Sequence, residues 1–237
     1  MIAFLDRLHA RARANPVLYR VVLATRCLFA MAFIPTGWVK FMGHRFTQIS
    51  VESPVGAFFE AMYQTGGYWQ FLGATQVVAG ILMLIPPAAT LGAVVFFPVA
   101  LNIFVITVAL DFRGTPWITG AMLFAATALL AWDWDRLRGI LTSSPPALTT
   151  AGRPHRPRVA GLGPAWERTA YVVGTGAGLL IFGSVRGLVG AGGARAGFAV
   201  GLLAALVALA GAIRTWRSGR LARVSRDEIA YDSSPRD

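Results

Sequence analysis

With 237 residues, 55% of them apolar, 14% charged and a net charge of +11, the chain carries too little charge for its hydrophobicity to be an ordinary soluble fold. Its mean hydropathy is +0.57, and apolar residues run unbroken through 88–110, which covers about 30 Å as a helix, the hydrocarbon thickness of a bilayer. Basic residues fall between the apolar runs and not on one face, which excludes a nucleic-acid partner and points to membrane orientation.

Residues 1–16 are basic, with Leu5, Leu8 and Ala12 facing Arg7, Arg11 and Arg13 at helical spacing, as in a helix lying at a membrane interface. No small-x-small site follows, so a cleavable leader is not expected. The first span is predicted over 21–41. Pro35 lies inside it, removes the hydrogen bond to the Met31 carbonyl and is expected to bend it. In the connection 42–66, Ser53-Pro54 reads as an N-cap with proline at the first helical position. Val55, Phe58, Phe59 and Met62 then mark a short amphipathic helix, with Glu60 and Gln64 on its other face. A second span is predicted over 68–85, and Pro86-Pro87 turns the chain into a third, 88–110, which Pro98 should kink. Asp111-Phe112-Arg113-Gly114 forms a turn, and Thr115-Pro116 opens a fourth span ending near Trp134. Trp132 and Trp134 there fit an interfacial aromatic belt.

Residues 141–165 are rich in Pro, Ser, Thr, Gly and Arg and read as a cytoplasmic linker. Two further spans are predicted over 169–185 and 196–213, in a two-helix hairpin bounded by 166–216, before a basic cytoplasmic tail, 217–237. Gly174/Gly178, Gly183/Gly187 and Gly197/Gly201 give the small-xxx-small spacing of closely packed membrane helices. The glycine-rich stretch after Gly187 lacks the strand and lysine of a phosphate loop. Six spans place sixteen basic residues on the side of the two termini and five on the other: Lys40, Arg45, Arg113, Arg186 and Arg195. Both termini are therefore expected in the cytoplasm, with the chain multi-pass in a bacterial-type inner (plasma) membrane. The expected fold class is an all-α membrane protein, a four-helix transmembrane bundle with a C-terminal transmembrane hairpin.

The single cysteine, Cys27, lies in the first apolar run, and His9, His44 and His155 lie in none. An internal disulfide, paired haem ligation inside the bundle, a cysteine-held iron–sulfur cluster and a CxxC redox pair are thereby excluded. Any electron chemistry needs a borrowed carrier. No metal site is expected.

Arg26, Phe33, Gly37 and Lys40 fall on one helical face, with the two cations about 21 Å apart along the axis. Either both snorkel to opposite headgroup layers while Gly37 admits a close neighbour, or Lys40 faces a pocket at the outer end. Gln76 and Asn102 lie near mid-membrane. Thr36, Thr107, Asp111, Arg113 and Thr119 belong to the outer halves of their spans. Buried amides and hydroxyls need partners, so these groups should face one another. The candidate ligand set is Lys40, Gln76, Asn102, Asp111 and Arg113. Its plain alternatives are interhelical packing bonds at Gln76 and Asn102 and a turn salt bridge between Asp111 and Arg113.

The Arg26-x6-Phe33-x3-Gly37-x2-Lys40 pattern resembles the DoxX/DoxD membrane-protein family. So do the second span from Gly67-Tyr68-Trp69-Gln70-Phe71-Leu72-Gly73 to Gly80, the 111–116 turn, and Trp132-Asp133-Trp134-Asp135. The resemblance covers about residues 20–140 and makes 1–140 a DoxX-like four-helix domain. It implies a redox-associated membrane subunit, quinone-linked, working beside partner oxidoreductase subunits. Many family members carry a glutamate in the second span where this chain has Gln76, so a proton-titrating group is missing there. Two functions stay open: a redox-associated subunit whose outer pocket takes a quinone headgroup, and a non-catalytic scaffold or small-lipid binder that contacts membrane lipid. Whether the chain is an enzyme, and whether it forms a homo-oligomer, the sequence leaves open.

Overall fold

The computed structural model describes residues 2–141, 165–190, 192–207 and 210–211. The tail and nearly all of the predicted linker lie outside the described residues. Among these residues the secondary structure is helical throughout, with no strand. The helices are α1 (Ile2–Ala14), α2 (Pro16–Phe41), α3 (Pro54–Gln64), α4 (Gly67–Leu84), α5 (Ala89–Ala109), α6 (Thr115–Trp132), α7 (Trp134–Leu141), α8 (Ala165–Val185) and α9 (Gly192–Val207).

Local chemistry explains the boundaries. The Asn15 side chain accepts the Val17 and Leu18 amides at 2.9 and 3.4 Å, and Pro16 fills the first helical position. α2 therefore starts five residues before the predicted span and continues helically through Pro35. Ser53 caps α3 by accepting the Gly56 amide at 3.1 Å, with Pro54 next, as its sequence indicated. Between α5 and α6 the chain reverses with φ of 43° at Asp111 and 77° at Gly114. Asp is one of the few side chains that tolerates such a backbone.

α2, α4, α5 and α6 pack in sequence order, each antiparallel to the one before. α2 and α4 make the most extensive contact. Gly80 sits against Ala30 and Ile34, and Gly92 against Ala79 and the Met83 backbone, so the helices approach almost backbone to backbone. Phe29, Phe33 and Phe96 fill the centre with ring centroids 4.7 Å (Phe29–Phe96) and 4.6 Å (Phe33–Phe96) apart, alongside Ala100, Ala126 and Leu129. α8 runs parallel to α2: Tyr171 bonds the Arg20 carbonyl, and Gly178 abuts Met31. α9 returns antiparallel along α8, with Gly197 and Gly201 at Ala177. A bidentate ion pair between Arg20 and Glu167 ties this hairpin to α2.

Three helices, α2, α5 and α6, are long and apolar enough to cross a membrane by length and composition. The distribution of side chains agrees with that. Gln76 and Asp133 are buried at 2% and 1% exposure, while Trp117 and Phe124 are turned outward at 86% and 76%. Water would penalise such an outer surface, whereas hydrocarbon would not. Trp132 departs from its predicted place in an interfacial belt. It is buried, with the Arg13 guanidinium 5.5 Å above its ring and its carbonyl 2.8 Å from the His9 Nε2.

Candidate functional site

Lys40 and Gln76 meet where α2 and α4 lie closest. Gly37 and Gly73 face each other there, and a Cβ on Gly37 would fall 2.7 Å from the Gly73 carbonyl oxygen. The Lys40 side chain starts over Gly73 and that of Gln76 over Gly37, so the two leave opposite helices and meet across the crossing. Lys40 Nζ donates to Gln76 Oε1 at 2.9 Å, and both residues are buried. The ammonium also lies 4.3 Å from the centre of the Phe46 ring and 5.6 Å from that of Trp69. Trp69 is held in place by its indole N–H, which donates to the His44 carbonyl at 2.9 Å.

Magnitudes decide whether that environment is complete. A cation over an aromatic face gains about 0.5–2 kcal/mol. Taking an ammonium out of water costs several kcal/mol. One amide oxygen and two rings do not close that gap, and an ammonium has two further protons to donate. No carboxylate among the described residues pairs with Lys40. Glu60, on the neighbouring α3, is already taken: Arg45 holds it with two bonds of 2.8 and 2.9 Å, and Gln64 adds a third of 2.7 Å. These bonds, those from Arg45 first and that from Gln64 second, pull the Glu60 carboxyl down to about 2.

The opposite end of the bundle treats its charges differently. Arg26, half a helix away on the same face of α2, does not snorkel outward. It turns inward and donates to Asp133 Oδ2 at 2.9 Å. Thr90 Oγ1 donates to the same oxygen at 2.9 Å, and Arg13 stands 3.8 Å from the other. Arg13 also pairs with Asp135, and Arg136 donates to Thr90 Oγ1 at 2.7 Å. This cluster joins α1, α2, α5 and the α6–α7 corner. Arg13 and Arg26 in it are each paired with a carboxylate, although the Nε of both is buried without an acceptor among the described residues.

The five candidate ligand residues are not brought into one place. Lys40 and Gln76 are together. Asn102 is exposed on α5, about 240° around the helix from the buried Phe96. Depth along a span fixes the level of a side chain and leaves its azimuth undetermined. Thr107, about 20° from Phe96, does point inward and bonds Thr119 at 2.8 Å. Asp111 and Arg113 are exposed in the α5–α6 turn and form no ion pair among the described residues, so the predicted turn salt bridge is absent there. Of the pattern residues, Phe33 packs in the aromatic core and Gly37 makes the close crossing. Phe46, Trp69 and Arg186, which surround Lys40, escaped the sequence-based choice. Trp69 stood in a quoted motif without a role, Phe46 lies in a loop, and Arg186 counted only toward topology.

No family model matches the chain, and no solved structure matches it. It is similar to YwoB of Bacillus subtilis (strain 168), described as an uncharacterized protein, at 29% identity over 126 residues, 51% of this chain and 81% of YwoB.

Proposed function

We propose that this chain is a DoxX-type protein of the inner membrane that crosses it six times and serves as a redox-associated subunit, holding a quinone-type headgroup at Lys40 and Gln76. The single observation behind the site is a buried lysine with one hydrogen-bond acceptor and no counter-ion among the described residues. The residues fit such a headgroup: Lys40 has donors to spare for a ring carbonyl, the Gln76 amide can turn to donate or accept, and Phe46 and Trp69 offer flat apolar walls. A bound quinone would supply reversible electron transfer coupled to proton transfer. The protein's part is to bind and orient the headgroup, and a partner oxidoreductase subunit supplies the electrons.

The six crossings are α2, α4, α5, α6, α8 and α9, whose directions alternate as six passes require. α1 lies at the cytoplasmic interface. The basic segments 7–20, 136–168 and 214–236 hold both termini in the cytoplasm. Lys40 then lies at the outer end and Arg26 at the inner end.

The experiment is purification of the full chain in mild detergent followed by organic extraction of bound lipids. Quinone recovered with the wild type and lost from the Lys40→Ala/Gln76→Leu variant is the expected result. Equal recovery from both overturns the site. Tags on the two termini should report the same face of sealed vesicles, and opposite faces overturn the six-pass topology.

A second reading, a small-lipid binder, has its own support. An apolar crevice lined by Cys27, Met31, Tyr171, Gly174 and Ala204 opens between α2, α8 and α9. Acyl lipid copurifying in fixed ratio, without quinone, favours that reading.

A further inference from the structure

The hairpin of α8 and α9 leaves a gap where it lies against α2. The crevice there has a volume of about 320 Å³, with Ala24, Cys27 and Met31 on its α2 wall and Gly174, Gly201 and Ala204 on the hairpin side. Two glycines and an alanine send almost nothing toward α2, so the gap stays open. At its outer end Met31 meets Gly178, and at its inner end the Tyr171 hydroxyl donates to the Arg20 carbonyl at 3.4 Å. Residues 24–31 of α2 cover about 10 Å of helix axis, in the cytoplasmic half of the membrane on the six-pass arrangement proposed above. The polar groups around the crevice already have partners. Thr175 Oγ1 donates to the Tyr171 carbonyl at 2.7 Å, and Arg20, one turn below Ala24, is neutralised by Glu167. The Cys27 thiol behaves as a small apolar group. Water therefore finds nothing to bond to there, and walls without neighbours forgo their packing contacts.

Size decides between occupants. A helix about 10 Å across fills roughly 800 Å³ over that length, more than twice the space. A methylene takes about as much room as a water in the liquid, about 30 Å³, so roughly ten of them fit. Ala24, Cys27 and Met31 also lie about 140–180° around α2 from Lys40, which separates this place from the Lys40–Gln76 site.

We propose that the crevice holds one acyl chain of a cytoplasmic-leaflet phospholipid, whatever its headgroup, and that this chain seals the hairpin onto α2. The proposal rests on the small-lipid reading above and deepens it by naming the part of the lipid that is bound and the place that binds it. Arg20 and Glu167 cancel at the crevice floor, so anionic and zwitterionic headgroups are treated alike. The gain is not hydrophobic, since the chain leaves one hydrocarbon surrounding for another. It is the contact with the crevice walls.

Cys27 is the single cysteine of the chain and stands on the crevice wall, so its reactivity follows occupancy. The test uses the full chain, freed of lipid in digitonin, a steroid detergent without an alkyl tail. It is titrated with palmitoyl-oleoyl phosphatidylcholine or phosphatidylglycerol, and alkylation of Cys27 by N-ethylmaleimide is timed by mass spectrometry. Either lipid should slow alkylation by about tenfold, as mass action gives for a site about nine-tenths filled. Ala205→Phe, which puts a ring into the crevice from α9, should react slowly without lipid and change little with it. Lys40→Ala/Gln76→Leu should be protected as wild type is. No protection of wild type by either lipid overturns the proposal and the small-lipid reading together. Protection by phosphatidylglycerol alone overturns the proposal and leaves the small-lipid reading standing, with binding through the headgroup. An Ala205→Phe variant that stays fast and is protected like wild type places the lipid elsewhere and overturns the crevice. Protection lost in Lys40→Ala/Gln76→Leu overturns it as well, by making the two sites one. Should Ala205→Phe fail to fold, Ala24→Leu fills the crevice from α2 and carries the same decision.

Discussion

Arg26 and Lys40 stand on one face of one helix, and both are drawn into the bundle, yet the two ends of that helix handle them in opposite ways. Around Arg26 the fold gathers Asp133, Thr90, Arg13 and Asp135, so both buried arginines have a carboxylate within 4 Å, even though the Nε of each finds no acceptor among the described residues. Around Lys40 it gathers a second cation, an amide and aromatic rings. A buried ion with its counter-ion in place is finished as a structural element and welds the helices it comes from. A buried ion without one is tolerated only where something else arrives to complete it. On the function proposed above, the Arg26 end is architecture and the Lys40 end is where a ligand binds.

The largest effect should come from breaking the neutralised end. Asp133→Ala strands Arg26 in the interior and is expected to cost about 3–5 kcal/mol of stability, read as a fall in melting temperature by tryptophan fluorescence in detergent. The double variant Arg26→Met/Asp133→Leu removes both charges and should recover most of that loss, because apolar side chains replace a buried pair at little cost. A double variant no better than Asp133→Ala would mean that the cluster holds the fold by some means other than charge matching.

Next in size is the helix crossing that sets Lys40 against Gln76. A Cβ on Gly73 would come within 2.8 Å of the Lys40 Cβ and closer still to the Phe41 amide. Gly73→Val should therefore push α2 from α4 at about 1–3 kcal/mol and weaken ligand retention with it. Gly176, on an open face of α8 with nothing near its missing Cβ, is the control. Gly176→Ala should stabilise by up to about 1 kcal/mol. If Gly73→Val lowers stability and leaves binding intact, Lys40 and Gln76 do not act as a pair.

How much of this was legible in the sequence follows from what each signal encodes. Ser53-Pro54, Thr115-Pro116 and the apolar runs carry their information locally, and α3, α5 and α6 begin close to where those signals put them. The period of the first span placed Arg26, Phe33, Gly37 and Lys40 on one face, and that face does meet the rest of the bundle. Partners were not legible. Asp133 lies 107 positions from Arg26 and Arg186 lies 140 from Phe46, and nothing in either neighbourhood names the other. Asn102 shows the complementary failure, since its depth was readable while its direction depended on which side of α5 packs on α4 and α6.

A smaller effect tests the binding end directly. Lys40→Met removes a buried cation that has no carboxylate to strand, and it leaves only the Gln76 amide to find another partner. Because the burial of that ammonium is not fully offset, stability in detergent, without ligand, should be at or above that of wild type, against the several kcal/mol lost by Asp133→Ala. Equal losses at the two positions would erase the contrast between the two ends of α2.

The smallest effect concerns a matched pair at the Lys40 end, Arg45 in the solvent-facing connection after α2 with Glu60 on α3. Because Arg45 and Gln64 lower the folded carboxyl from an ordinary 4.5 to about 2, its contribution to holding the loop is fully present above about pH 4.5 and is lost as pH falls through about 2. Exposure lets water and salt screen the pair, so the change should be local and should shrink as ionic strength rises. Pepsin, active across that range, should cut within residues 44–56 more readily as the pH is lowered from 4.5 to 2. Glu60→Gln should start from higher susceptibility and lose that pH step, since it has no charge to give up. A step of the same size in Glu60→Gln would place the responsible carboxyl elsewhere and leave the loop held by Ser53, Phe46 and Trp69 alone.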